Sequence, residues 1–81
     1  MGAASWLLIE TENISSNDVL KKLKKLNFIK EINTVHGEYQ ILAKAAAGNF
    51  TLLDRELSGE LRNMPGIRRI TILPVLSEGV K

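Results

Sequence analysis

Between residues 4 and 11 the chain is apolar at both parities: on an extended strand Trp6 and Leu8 point one way, Leu7 and Ile9 the other. A strand of that kind is covered on two sides. Ser15-Ser16-Asn17-Asp18 then supplies a helix start, with Ser15 as N-cap and the Asp18 carboxylate placed where the helix N-terminus favours it. The spacing predicts a helix over about residues 16–26. Val19, Leu20, Leu23 and Leu26 form its buried stripe, while Lys21, Lys22, Lys24 and Lys25 turn to water. Residues 28–36 return to extended structure. Gly37 can adopt the positive φ of a tight turn, so the chain is expected to reverse there into a strand over residues 38–46. The loop of this central hairpin holds the only His, His36, and the only Tyr, Tyr39.

Gly48-Asn49 interrupts the pattern, and Asn49 is a good N-cap for a helix with Phe50, Leu53, Leu57 and Leu61 on one face. This helix is expected to end at Asn63-Met64, before Pro65-Gly66, and Gly59 inside it costs about 1 kcal/mol against alanine. Residues 67–76 form the last strand, again apolar at both parities, with Ile70 and Ile72 opposite Leu73 and Val75. Pro74 cannot donate to a ladder and marks an edge strand. Residues 77–81 read as a loose tail.

The order β-α-β-β-α-β predicts a single α+β domain over residues 1–81, ordered over about 3–76: a ferredoxin-like sandwich with both helices on one face of an antiparallel sheet. Two helices cover only one sheet face. Because Trp6, Leu8 and their neighbours make the second face apolar as well, it is expected to be a homodimer face.

Composition narrows the possibilities further. Eighty-one residues leave room for one small core, and 44% hydrophobic with 25% charged residues is a globular balance. Zero cysteines exclude disulfides and thiolate metal sites, which fits a cytoplasmic setting, and no cofactor is implied. The longest apolar run, Trp6-Leu7-Leu8-Ile9, is too short for a membrane span. A net charge of +2 with clustered lysines argues against direct DNA binding. One His, no Cys and no evident acid–base pair leave little from which to build an enzyme.

Two stretches carry a resemblance: Val35-His36-Gly37-Glu38-Tyr39-Gln40-Ile41-Leu42, and Met64-Pro65-Gly66-Ile67-Arg68-Arg69 with the strand after it. Together with the element order they make the chain resemble the effector (RAM) domain of Lrp/AsnC transcriptional regulators over about residues 3–76. Full-length members carry an N-terminal helix-turn-helix domain, and only Met1-Gly2-Ala3 precedes the first strand here, so the resemblance implies a stand-alone effector domain. It also implies sheet-to-sheet dimers, with Trp6 and Leu8 in the interface, joined into larger assemblies that bind a free amino acid between dimers near the hairpin. The site so implied comprises His36, Gly37, Tyr39, Gln40, Ile70 and Ile72. The family usually has Thr or Ser before the turn glycine and Asp after the aromatic, where this chain has His36 and Gln40, and often hydroxyl residues where Ile70 and Ile72 stand.

Each of these residues has a plainer reading. His36 either hydrogen-bonds a ligand carboxylate or is a polar surface residue, and Tyr39 either lines a site or packs on the sheet. Gln40 offers an acceptor for an ammonium group without the charge of an aspartate. Arg68 and Arg69, as adjacent strand residues, are expected on opposite faces rather than in one patch. The expected function is an amino-acid-responsive regulatory and oligomerisation module that acts on transcription through hetero-assembly with full-length Lrp/AsnC regulators. The alternatives are a ligand-free structural oligomerisation module and a small dimeric α+β-barrel enzyme.

Overall fold

A computed structural model describes residues 2–12, 16–36 and 40–76 of the chain. Its elements are β1 (Ala3–Thr11), α1 (Ser16–Lys24), β2 (Ile29–Thr34), β3 (Ile41–Ala47), α2 (Phe50–Glu56), a π-helical continuation at Leu57–Leu61, and β4 (Ile67–Pro74). They form the ferredoxin-like α+β fold. All neighbouring strands are antiparallel, in the order β2-β3-β1-β4. β4 is thus an edge strand, and Pro74 is its last residue.

Alternation on the two central strands divides the sheet into a covered and an open face. Leu7 and Ile9 of β1 and Ile41, Ala43 and Ala45 of β3 are buried beneath the helices. They pack with Val19 and Leu23 of α1, Phe28, and Leu53, Leu57 and Leu61 of the second helix. Ala43 and Ala45 of β3 are small and fully buried, which lets the helix layer lie close on the sheet.

Three expectations need correction. α1 ends at Lys24 rather than about Leu26, because Lys25 and Leu26 donate to the carbonyls of Lys22 and Leu23, bonds of i→i+3 type that tighten the last turn. Phe50 does not belong to the buried stripe and is 44% exposed. Asn49 does cap α2, its Oδ1 accepting from the Leu52 N–H at 2.9 Å, but the α-helix changes to π geometry at Leu57. The wider turn is closed by Arg62 N–H donating to the Leu57 carbonyl at 3.4 Å, and Leu53, Leu57 and Leu61 all stay buried through it. At the foot of β4, Gly66 has φ 92°, a region that favours glycine after Pro65, and its carbonyl accepts from the Glu12 N–H at 2.9 Å. Ser15 and the tail 77–81 lie outside the described residues.

Candidate functional site

The base of the central hairpin is held by two backbone bonds: Val35 N–H donates to the Gln40 carbonyl at 3.0 Å, and Gln40 N–H to the Ile9 carbonyl at 3.1 Å. The Gln40 side chain continues this pairing. Its Oε1 accepts from the backbone N–H of Thr11 at 2.7 Å and also from the Thr11 hydroxyl. Since a backbone N–H can only donate, the atom facing it is the amide oxygen, and both lone pairs of that oxygen are engaged. Thr11 is only 2% exposed, so the side chain of Gln40 stands in for the strand carbonyl that this buried N–H lacks. The Gln40 acceptor expected from its sequence position is thus engaged by Thr11, which leaves the Nε2 donors as the other polar group of this side chain. His36 is exposed beside it, while Gly37 and Tyr39 lie outside the described residues.

Ile70 and Ile72 sit elsewhere. Paired with Ile9 and Leu7, they turn toward the helices and line a groove of about 290 Å³ with Leu57, Leu61, Ile67 and Arg62. Neither His36 nor Gln40 lines this groove. Among the described residues, the structure does not bring His36 and Gln40 into one pocket with the two isoleucines.

The arginines also depart from expectation. The β1–β4 register shifts between Glu10 and Thr11: Arg69 pairs with Glu10 and Ile67 with Thr11, leaving Arg68 as the extra residue of a bulge. Strict alternation fails there, and both side chains converge on Glu10, Arg69 Nη2 at 3.2 Å from Oε2 and Arg68 Nη1 at 3.6 Å from Oε1.

On the open face Trp6 lies between Lys44 and Leu73, and Leu8 between Leu42 and Thr71. Four of the six side chains in these two rows are apolar or aromatic, the exceptions being Lys44 and Thr71. Lys44 Nζ stands 5.4 Å from the Trp6 ring centroid, a cation–π distance. Leu73 remains 48% exposed. Sequence reasoning did not single out Leu42, Lys44 or Leu73 for this face, although alternation with Ile41, Ala43 and Ile72 signals them. Nothing local signals Thr11, whose partner is 29 residues away. Among the described residues, no cluster of His, Cys, Asp and Glu is fit to hold a metal, and no helix is long and apolar enough to cross a membrane.

A family model described as the Lrp/AsnC ligand binding domain matches residues 6–81. No curated protein matches the sequence. Among solved structures, the hypothetical protein PHS023 from Pyrococcus horikoshii is 26% identical with a TM-score of 0.86, over 96% of this chain and 93% of that one. E. coli AsnC is 20% identical with a TM-score of 0.89, over 98% of this chain and 54% of that one. The transcriptional regulator NMB0573 of Neisseria meningitidis, solved as a complex with L-Met, is 14% identical with a TM-score of 0.85, over 94% of this chain and 51% of that one. The chain thus spans about half the length of these two proteins. With the family model reaching from β1 through the hairpin and past β4, this chain belongs to the Lrp/AsnC ligand-binding domain family and is a regulatory domain.

Proposed function

We propose that this domain responds to a small α-amino acid with an apolar side chain, bound between sheet-face dimers, and that it influences transcription by assembling with longer members of its family. The observation that carries the reading is the groove beside β4, whose Leu57, Leu61, Ile70 and Ile72 form an apolar floor next to Arg62. Such a groove accepts an aliphatic or thioether side chain, and a guanidinium beside it suits a carboxylate. The hairpin of one subunit, with His36 and the Nε2 donors of Gln40, completes the site over the groove of another. The ammonium group then falls to backbone carbonyls around Gly37, since Gln40 Oε1 is held by Thr11. The complex of the Neisseria regulator with L-Met supports this class of ligand. Dimerisation through Trp6 and Leu8, with Leu42 and Leu73 beside them, is the first step of the assembly.

A thermal-shift series over the common amino acids tests the reading. A ligand that binds only the native assembly adds about 2.7 kcal/mol at a hundredfold excess over its dissociation constant. Methionine, leucine or isoleucine should raise the midpoint and aspartate or lysine should not, while His36→Ala should reduce the gain without splitting the dimer. If no amino acid raises the midpoint at millimolar concentration, the second reading stands: Ile70 and Ile72, which offer no side-chain hydrogen bond, close the groove of a purely structural oligomerisation module.

A further inference from the structure

The polar residues that line the groove beside β4 are all arginines, Arg62, Arg68 and Arg69, and the rest of its lining is leucine and isoleucine. A guanidinium carries N–H donors and no acceptor. No carboxylate lines the groove. Glu10, paired with Arg69 across the sheet, has both oxygens engaged, Oε2 with Arg69 at 3.2 Å and Oε1 with Arg68 at 3.6 Å. At the hairpin, Gln40 Oε1 accepts from the N–H and the hydroxyl of Thr11, which leaves Nε2, again a donor. His36 is exposed, and an imidazole nitrogen serves as donor or acceptor, so it does not discriminate between ligands. Among the described residues, the carboxylate and amide oxygens near the site are thus engaged within the chain, while guanidinium and amide donors remain.

An α-amino acid matches only half of that offer. Its carboxylate suits a guanidinium, but its ammonium brings only donors, and a charged donor closed away from water without acceptors is costly. The corresponding α-keto acid keeps the carboxylate and the side chain and replaces the ammonium by a carbonyl oxygen, so all its polar atoms accept. We propose that this site also takes α-keto acids with an aliphatic side chain, and takes them more tightly than the matching amino acids. The carboxylate faces Arg62, the aliphatic group lies on Leu57, Leu61, Ile70 and Ile72, and the keto oxygen accepts from Gln40 Nε2 of the subunit whose hairpin closes the site. This rests on the reading of groove and hairpin as one ligand site, and adds to it the chemical class of a second ligand. A module with that preference responds to the balance between an amino acid and its keto acid, which transamination or oxidative deamination sets.

Calorimetric titration of the full chain with probes of one branched skeleton tests this: α-ketoisocaproate, leucine, isocaproate and isoamylamine. α-Ketoisocaproate should bind about tenfold more tightly than leucine, the factor that one unpaired donor group costs. Isocaproate, which has the carboxylate and the tail but no keto oxygen, should fall between them, and isoamylamine, which has no carboxylate, should not bind. Arg62→Gln should weaken α-ketoisocaproate and isocaproate alike. Gln40→Glu removes the Nε2 donors while an acceptor still faces Thr11, and should abolish the preference of α-ketoisocaproate over isocaproate. These two ligands carry the same charge, so their ratio cancels the general effect of the added carboxylate. Leucine binding as tightly as α-ketoisocaproate, or more tightly, would overturn the proposal and leave the amino-acid reading standing. Binding of none of the probes would overturn both. Equal binding of α-ketoisocaproate and isocaproate, or a preference that survives Gln40→Glu, would remove the keto-oxygen contact and the proposal with it.

Discussion

The two faces of β1 are built from similar side chains and end in different environments. Ala3, Ser5, Leu7, Ile9 and Thr11 are all buried, whereas Ala4, Trp6, Leu8 and Glu10 are only half-buried. The difference comes from what lies above them. The odd-numbered face meets Ile41, Ala43 and Ala45 under a layer of leucines from both helices. The even-numbered face meets Leu42, Lys44 and Ala46 on one side and Thr71 and Leu73 on the other, with Glu10 and Arg69 at one end. Trp6, Leu8, Leu42 and Leu73 give the open face apolar surface, with Lys44 among them and Glu10 and Arg69 at one end. One face is thus complete within a single chain, and the other leaves apolar surface uncovered, as the proposed dimer requires.

The largest effect should separate these faces directly. Leu7→Ala opens a cavity in a fully buried layer and is expected to lower stability by about 2–5 kcal/mol. Leu8→Ala, on the open face, should cost the folded monomer less than about 1.5 kcal/mol. Association reverses the order: Leu8→Glu should yield a folded monomer, while Leu7→Glu should fail to fold. Urea unfolding together with sedimentation would show both. A Leu8→Glu chain that still dimerises would remove the open face from the assembly.

The second effect lies where the covered face ends. Gln40→Ala leaves the buried N–H of Thr11 without an acceptor and should destabilise by about 1–3 kcal/mol, measurable by denaturant midpoint. Gln40→Glu keeps two acceptor lone pairs facing Thr11 and should stay within about 1 kcal/mol of wild type. It removes the Nε2 donors, however, so in the thermal-shift series it should lose the amino-acid response while remaining folded. The alanine variant confounds the two roles, and the glutamate variant separates them.

Much of this architecture was legible in the sequence because it follows from period and punctuation. The cap at Asn49 and the proline at position 74 point to a helix start and an edge, and each is found there, while the both-parity strand over residues 4–11 is covered within the chain on its odd-numbered side alone. The misses have a common physical origin in departures from ideal repeat. A bulge at Arg68 breaks the alternation that would separate Arg68 from Arg69. A π turn at Leu57 follows a leucine spacing that a regular α-helix also accommodates, and Phe50, at the helix start, lies outside the buried stripe. The candidate site was less legible still. The Gln40–Thr11 bond links residues 29 apart, and the groove under Ile70 and Ile72 depends on leucines from another element, so periodicity within one segment contains neither.

At the charged end of the open face, Glu10→Gln removes the carboxylate shared by Arg68 and Arg69. Their side chains are 63% and 55% exposed, so water already screens much of the attraction. The expected loss is under about 1 kcal/mol of monomer stability, and it should shrink further in high salt. A larger loss in the thermal midpoint would mean that this end of the sheet is buried by a partner.

The smallest effect concerns Lys44, the one charge in the middle of the open face. Its ammonium lies 5.4 Å from the Trp6 ring centroid, an arrangement worth about 0.5–1 kcal/mol at an exposed site. Lys44→Met keeps the packing of the stem against the indole and removes the charge, so the folded monomer, isolated in a Leu8→Glu background, should lose at least part of that amount. In the proposed dimer a second term enters, because closing the sheet face over an ammonium requires its desolvation. With Leu8 intact, sedimentation and Trp6 fluorescence read the balance: stronger association of Lys44→Met means that desolvation outweighs the contacts Lys44 makes. Weaker association instead would mean that Lys44 meets a carboxylate of the facing subunit, so that charge pairing selects the partner of the open face alongside its apolar centre.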